Sequence, residues 1–423
     1  MSGRFIFLDD LVSLARFSCP FYQRLYQHLG PRPALSELPV TNQDEFWAAH
    51  QRDHREVLTA SLESGIVLAS GGSTGAPKFS YVGHDEWNAN AYLSQLVFET
   101  AGLCDGDRVG NLFGVSELYA SFLGTTFSLK GIKARVLQFP FTTLSPDEYI
   151  VRLMERFGID IFAGVPSRIL RLVNYIDTVG ATHKAPLRRV LFAGEHFYPA
   201  QRAHVERIFP GVTFHSLGYA CVDSGFIGSA EADCGPGEHR SMDEAGIMEI
   251  HDELTGEPIE EMGVTGKVIF TNLSRALMPI IRYPVGDRAQ WLEPAGTPSR
   301  KFILLGRSEE AARVAHANLH VSDVRKLLDP FAERLELAGF QLVVSNENRR
   351  DRLTVRLAAK APAEARVPIE PEIFAALDSQ RPQLKGMTAA GTIHPVALEW
   401  VLPSELLSNP RTGKIRMVVD QRV

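Results

Sequence analysis

The chain alternates between two apolar spacings, and this alternation restricts it to a layered α/β architecture. Over 145–157, Ser145, Pro146, Asp147 and Glu148 supply an N-cap, a first-turn proline and acidic side chains. Tyr149, Ile150, Leu153, Met154 and Phe157 then recur at helical spacing, so a helix is predicted there. The run Ile159, Asp160, Ile161, Phe162, Ala163 reads as a buried strand, which Gly164, Val165, Pro166 and Ser167 end in a loop before an amphipathic stretch from Arg168 to Tyr175. A second strand, 190–193, stops at Gly194 and Glu195, and helix returns over 200–209. Such βα units place loops at strand ends, where parallel sheets bind ligands.

A second region has another texture. Segments 246–250 and 266–272 alternate or run apolar between turn-rich stretches and read as antiparallel strands. Leu292 to Ser299 is a turn before a strand over 301–305. From Ser308 onward a small α+β domain is predicted, with helices over 321–335 and 370–377, strands over 340–344 and 352–357, and a mobile loop over 358–368. The fold expected is therefore α/β, with a large N-terminal domain of βα-layered sheets and a β subdomain over 1–307 and a small C-terminal α+β lid over 308–423.

Charge and cysteine usage narrow the partners. A net charge of −6 without a basic block gives no electrostatic reason to expect nucleic acid. Cys19, Cys104, Cys221 and Cys234 are far apart and form no C-x-x-C pair, which suits a reduced cytoplasm better than a disulfide framework. The short apolar run Phe5 to Leu8 is neither a signal peptide nor an anchor, and no segment reaches the roughly 18 apolar residues of a membrane span. A cytoplasmic protein is expected, and homodimerisation is left open.

Residues 70–78 read Ser70, Gly71, Gly72, Ser73, Thr74, Gly75, Ala76, Pro77, Lys78. Glycines let the backbone approach a ligand closely, hydroxyls add donors and the lysine adds a cation, a combination suited to a triphosphate. The spacing is not that of a Walker-type loop, in which lysine directly follows the last glycine. Taken alone, such a stretch is more often a flexible connection than a phosphate site.

This segment resembles the phosphate loop of the adenylate-forming enzymes, the acyl-CoA synthetase and ligase superfamily, and further motifs follow in that family's order. Gly218, Tyr219, Ala220, Cys221, Val222, Asp223 stand where it has Gly-Tyr-Gly-x-Thr-Glu, and Arg282 to Asp287 resemble its Tyr-Arg-Thr-Gly-Asp region. Gly306-Arg307 is similar to the Gly-Arg before its hinge, and Asn409 to Lys414 to its Pro-Arg-Thr-x-x-Gly-Lys ending, shortened by two residues. Cys19-Pro20-Phe21-Tyr22 and Leu38-Pro39-Val40-Thr41 resemble the opening of phenylacetate-CoA ligases and related aryl-acid activators, including those of phenazine-type pathways.

The resemblance implies ATP-dependent activation of an aromatic carboxylic acid as an acyl adenylate, followed by transfer to CoA or another thiol. It assigns Ser70, Gly71, Gly72, Ser73, Thr74, Gly75 and Lys78 to phosphates, Gly194, Glu195 and His196 to the adenine, Gly218 and Tyr219 to ATP, Asp287 to ribose hydroxyls and Arg307 to ribose or phosphate. Lys414 would meet the α-phosphate and substrate carboxylate, and Asp223 would hold Mg²⁺. Phe113, Gly114, Tyr119, Gly164 and Pro166 would wall the acyl pocket. Other readings stay open: Lys414 as a solvated basic tail, Asp287 as a turn residue paired with Arg282 or Arg288, Arg307 paired with Glu309 or Glu310, and Phe113 and Tyr119 as core.

Departures matter as well. Asp223 is one methylene shorter than the family's glutamate, Ala220 replaces a glycine and Val222 a hydroxyl residue, which weakens the expected phosphate contacts. Ala317 stands where a glycine passes the CoA arm, so a carrier protein or an amine is the alternative acceptor, and a nucleotide-binding scaffold with reduced turnover is the alternative to an enzyme. A zinc site around Cys234 and His239, completed by His215 and His251, is a further open reading.

Overall fold

The computed structural model describes residues 5–69, 78–115, 118–142, 144–182, 184, 186–197, 199–307, 311–315, 317–348, 350–409 and 414–422, without the side chains of 200, 307, 318 and 322. These form two compact units, Met1–His196 with Val212–Leu304 and Phe197–Gly211 with Leu305–Val423.

In the first unit, α1 (Leu8–Ser18), α2 (Pro20–Leu25) and α3 (Gln43–Arg52) carry an aromatic cluster in which Phe21 meets both Tyr22 and Phe46 edge-on at 5.2 Å. The cluster is tied to a distant segment through Tyr22, whose hydroxyl donates to the Pro279 carbonyl and accepts from the Ile281 N–H, both at 3.2 Å. β1 (Ile66–Ala69) and β2 (Phe79–Val82) then pair antiparallel, with Ala69 opposite Phe79. They flank the 70–77 stretch and lead into α4 (His84–Thr100).

The βα alternation follows as expected. β3 (Arg108–Asn111), α5 (Ala120–Gly131), β4 (Leu137–Pro140), α6 (Asp147–Phe157), β5 (Ile161–Gly164), α7 (Pro166–Thr178), β6 (Arg189–Phe192), α8 (Pro199–Ile208) and β7 (Thr213–Ser216) follow in chain order; the strands form a parallel sheet in the order β4-β3-β5-β6-β7, and α8 belongs to the second unit. All four residues of the central β5 are buried, the pattern of a strand covered on both faces. Boundaries differ in small ways. Ser145 does not cap α6, because its hydroxyl accepts from the Thr142 N–H at 3.0 Å, and α7 starts at Pro166, inside the loop expected over 164–167.

A seven-stranded sheet follows: β8 (Tyr219–Cys221), β9 (Gly225–Ser229), β10 (Glu238–Ser241), β11 (Gly246–His251), β12 (Gly266–Asn272), β13 (Tyr283–Trp291) and β14 (Lys301–Arg307), in the order β11-β12-β13-β14-β10-β9-β8. Arg282, with φ of 42°, enters β13 from a left-handed conformation. Its buried guanidinium pairs with both Glu249 carboxylate oxygens, at 2.8 and 3.0 Å, and donates to the Leu38 carbonyl. The ion pair stays within the sheet, and the bond to the Leu38 carbonyl joins it to the N-terminal helical segment.

Besides α8, the second unit holds the antiparallel pair β15 (Ala311–Val314) and β16 (Ala317–His320), followed by α9 (Val321–Leu335). β17 (Leu337–Glu347) and β18 (Arg350–Ala359) pair antiparallel at the centre of a four-stranded sheet. After α10 (Ala363–Arg366), α11 (Glu370–Gln380) and α12 (Pro382–Ala389), strands β19 (Ala397–Val401) and β20 (Val418–Asp420) complete its edges in parallel. Val324, Leu327, Leu328 and Phe331 of α9 cover its inner face. The expectation of a loop over 358–368 is corrected: Ala358, Ala359 and Ala361 are buried, and the rest includes a helical turn, because small side chains suit a close approach. Among the described residues no helix is long and apolar enough to cross a membrane.

His239 in β10 is buried against Phe302, with ring centroids 5.7 Å apart, and burial pushes its pKa down to about 4. The unfolded chain therefore binds a proton that the folded chain excludes, and stability present above about pH 6.5 is lost as pH falls toward 4. His239→Gln is expected to remove about 2 kcal/mol of the stability change between pH 7 and pH 5. Urea unfolding of both proteins at pH 7 and pH 5 checks this, and equal slopes would show that His239 is not excluded from protonation.

Candidate functional site

Two irregularities in the seven-stranded sheet bring Tyr219 and Asp287 together. Between Pro284, opposite Ile269, and Arg288, opposite Lys267, β13 carries two more residues than β12, and Gly286 sits in this bulge at φ +86°. A bulge re-aims the side chains around it, here that of Asp287. On β8, Gly218 at φ +82° leads into Tyr219; a Cβ at Gly218 would lie 2.4 Å from the Gly228 carbonyl oxygen, so only glycine fits. The Tyr219 hydroxyl donates to Asp287 Oδ2 at 2.5 Å. Neither arginine considered from the sequence partners Asp287 in this way: Arg282 pairs with Glu249, and Arg288 with Glu253 at 2.7 Å.

Asp223 follows β8, and its backbone is held by a residue the sequence reading passed over. Arg275 is 1% exposed; its guanidinium donates to the Asp223 carbonyl at 3.3 Å, the Tyr81 carbonyl at 2.9 Å and Ser80 Oγ at 3.1 Å. Glu86, on the first turn of α4, lies 3.8 Å from the same guanidinium and accepts the Gly83 and Leu277 N–H groups. Asn272 holds the next residue, donating to the Ser224 carbonyl at 2.6 Å. Asp223 is thereby fixed relative to β2, the strand that leaves the 70–77 stretch. The available signal was a lone arginine among apolar residues, Leu273 to Ile281, since a charge in such a run is buried only when paired. Cys221, two residues earlier, is partly buried, and the loss of water around it pushes its thiol up to about 11.

At the parallel sheet, Glu195 accepts from the Ser167 N–H at 2.9 Å and the Ser167 hydroxyl at 3.0 Å. The carboxylate thus sits on the first turn of α7, where the helix dipole favours negative charge. It joins the ends of β5 and β6 and brings Gly194, Glu195 and His196 beside Gly164 and Pro166. Sequence reasoning placed the two loops separately and missed Ser167 as their link.

The residues Ser70, Gly71, Gly72, Ser73, Thr74 and Gly75 lie outside the described residues. At the end of that stretch, the Lys78 ammonium lies 5.4 Å from the centroid of Trp47, whose indole donates to the Tyr283 hydroxyl at 2.8 Å. At its start, the Ala69 N–H donates to the Leu118 carbonyl at 2.7 Å, so the loop base touches the segment proposed as an acyl wall. Within that segment Phe113 and Tyr119 are buried, Phe113 among Val97, Phe98, Val109 and Leu129, while Gly114 is buried with them.

Arg307 ends β14 in the second unit, and its side chain lies outside the described residues, as do Glu309 and Glu310. Lys414 follows the undescribed 410–413 stretch, with its carbonyl accepting the Asn409 N–H at 2.7 Å. The zinc candidates do not converge. His239 Nδ1 donates to the Gly237 carbonyl, His215 bonds Thr100, and His251 bonds Glu249 and Gly256. Among the described residues no three His, Cys, Asp or Glu side chains form a metal-holding group. Asp223 remains a hard oxygen donor suited to Mg²⁺, which takes one or two carboxylates and completes its shell with phosphate and water.

No family model matches the chain. Its sequence is 26% identical to a phenylacetate-coenzyme A ligase of Aromatoleum evansii over 374 residues, covering 84% of this chain and 78% of the relative. A crystal structure of 2-hydroxyisobutyryl-CoA ligase in complex with 2-HIB-AMP superimposes with a TM-score of 0.77 at 19% identity, covering 98% of this chain and 88% of the other. An acyl acid amido synthetase in complex with 2,4-DB superimposes with a TM-score of 0.70 at 14% identity, covering 94% and 86%. The likeness to these two structures is one of fold.

Removing Arg275 leaves Glu86 without its cation and three acceptors without a donor. Arg275→Met is expected to lower stability by about 3–5 kcal/mol, the usual cost of breaking a buried pair, and Glu86→Gln in that background to recover part of it. Urea unfolding of the two single variants and the double variant tests the coupling, and strictly additive losses would contradict it.

Proposed function

We propose that this chain, a homologue of the phenylacetate-coenzyme A ligases of the adenylate-forming superfamily, activates an aromatic carboxylic acid with ATP and transfers the acyl group to coenzyme A. The observation that carries this reading is the Tyr219–Asp287 pair, set by a bulge and a left-handed glycine, in a chain aligned with such a ligase over 84% of its length. A carboxylate and a phenol at this position suit ribose hydroxyls and a flat base. In the first half-reaction a substrate carboxylate oxygen attacks the α-phosphorus of ATP, and the bond to pyrophosphate breaks. In the second, the CoA sulfur attacks the acyl carbonyl, and AMP leaves as the thiol proton passes to solvent.

Each residue has a task in this scheme. Asp223 would hold Mg²⁺, which neutralises phosphate charge when bound. The 70–75 segment and Lys78 would meet the phosphates, Glu195 and His196 the adenine side, and Arg307 the ribose or phosphate. Lys414 would supply the cation on the α-phosphate and the attacking carboxylate. Gly164, Pro166, Phe113, Gly114 and Tyr119 would bound the acyl group, whose aromatic character follows from the relatives' substrate.

A second reading concerns only the acceptor. Ala317 pairs with Val314 between β16 and β15, and by the resemblance its methyl group would narrow the space that a glycine leaves to pantetheine. The fold is shared with an acyl acid amido synthetase, which favours an amine among the alternative acceptors. Supplying preformed acyl adenylate with CoA or with amino acids separates thioester from amide formation.

Acid-dependent exchange of labelled pyrophosphate into ATP, screened over aryl acids, tests the activation step. Lys414→Ala is expected to lower this exchange about a hundred- to a thousandfold, the usual loss on removing a group that stabilises developing charge, with ATP affinity largely kept. Undiminished exchange by the purified variant would defeat the assignment.

Val222 and Asp223 set a further expectation. Val222→Thr adds a donor to a charged phosphate, worth about 1.5–3 kcal/mol when aligned, and should tighten ATP binding about tenfold or more. Asp223→Ala should raise the Mg²⁺ concentration that half-saturates exchange. Calorimetry and a Mg²⁺ titration read the two effects, and if neither appears, 218–223 does not meet the phosphates.

A further inference from the structure

Gln341 breaks the pattern of its strand. Its neighbours Phe340 and Leu342 are buried in the core under α9, whereas Gln341 points to the sheet's other face and is also fully buried, at 0% exposure. That face is covered by Leu406 and Ile415, which pack with Ala338, Ala358 and Val401. An apolar side chain would suit this environment. A buried amide persists there only if its donors and acceptor are satisfied.

They are satisfied by one segment. Gln341 Nε2 donates to the Leu407 carbonyl at 3.1 Å and to the Arg416 carbonyl at 2.5 Å, and Oε1 accepts the Leu407 N–H at 3.4 Å. Leu407 and Arg416 are themselves bonded, Arg416 N–H to Leu407 carbonyl at 2.9 Å, and Ser408 bridges Ile415. These residues are the neck of the loop that carries Lys414. Beyond the neck the chain enters β20 through the Leu342 N–H to Met417 carbonyl bond at 2.8 Å, so the loop is clamped on the same strand from two consecutive residues.

We propose that Gln341 is a positioning residue for Lys414, fixing the separation and orientation of the two chain segments, at Leu407 and at Arg416, that flank it. The inference rests on the reading of Lys414 as the cation of the activation step. Without the amide, the Arg416 carbonyl and the Leu407 N–H lose their side-chain partner in an apolar setting, and the neck must open toward water to recover one. A shift of about an ångström at a charge-stabilising group typically costs about a hundredfold in rate.

The test is a double-mutant cycle on pyrophosphate exchange, with an acid that supports wild-type exchange. Gln341→Met is expected to lower exchange about ten- to a hundredfold, with the KM for ATP changed less than about twofold and thioester formation from preformed acyl adenylate less than about threefold. Combined with Lys414→Ala it should cause no loss beyond that of Lys414→Ala alone, because the glutamine acts through the lysine. Wild-type exchange by Gln341→Met, or losses that multiply in the double variant, would overturn the proposal. If Gln341→Met does not fold, Gln341→Glu, which keeps the length and the acceptor but loses both donors, is judged by the same criteria. Should the wild type exchange with no acid, the activation reading itself fails. The anchor is then decided by amide hydrogen exchange over 404–418: faster exchange in the variant upholds it and unchanged exchange overturns it.

Discussion

The buried guanidinium of Arg275 joins three parts of the first unit that are far apart along the chain. It touches the carbonyl of Asp223, the strand that leaves the 70–77 stretch and the acidic first turn of α4. A charge 1% exposed is tolerable only because a carboxylate and three oxygen acceptors surround it. The same requirement makes it directional. Five N–H donors in a rigid plane fix the relative positions of their acceptors in a way apolar contacts cannot. The 223 turn is therefore set by a polar network with a single satisfactory arrangement.

Backbone irregularity performs the complementary task at Asp287. A regular β13 would alternate its side chains between the two faces of the sheet, whereas the bulge at Val285 to Asp287 adds two residues and turns the carboxylate to the Tyr219 hydroxyl. Gly286 and Gly218 supply the positive φ angles this needs. At Gly218 a methyl group would also strike the Gly228 carbonyl, so chain geometry and close approach demand the same residue.

Much of the fold was legible from spacing. The helices over 321–335 and 370–377, the strands within β17 and β18 and the βα order of the first unit follow from apolar periodicity and from glycine and proline punctuation. Glu195 shows where that legibility stops. Its position after a strand was readable, yet its bonds to Ser167, 28 residues away, were not, because local propensity carries no information on which loops meet. Segment 358–368 shows the converse. Alanine and proline read as loose, but small residues are also what a buried, closely packed turn requires.

The sequence by itself determined the order of layers, the glycine positions and the residue types at Tyr219, Asp223, Asp287 and Lys414, because these depend on neighbours along the chain or on motif order. Only the tertiary structure decided the partners. It paired Asp287 with Tyr219 and neither of the arginines left open as partners, placed Arg275 behind Asp223 and set Gln341 under the neck of the Lys414 loop. Each of these contacts spans at least 52 residues of chain. Such pairings arise where burial forces polar groups to satisfy one another, and which groups are buried together is settled by the packing of whole elements.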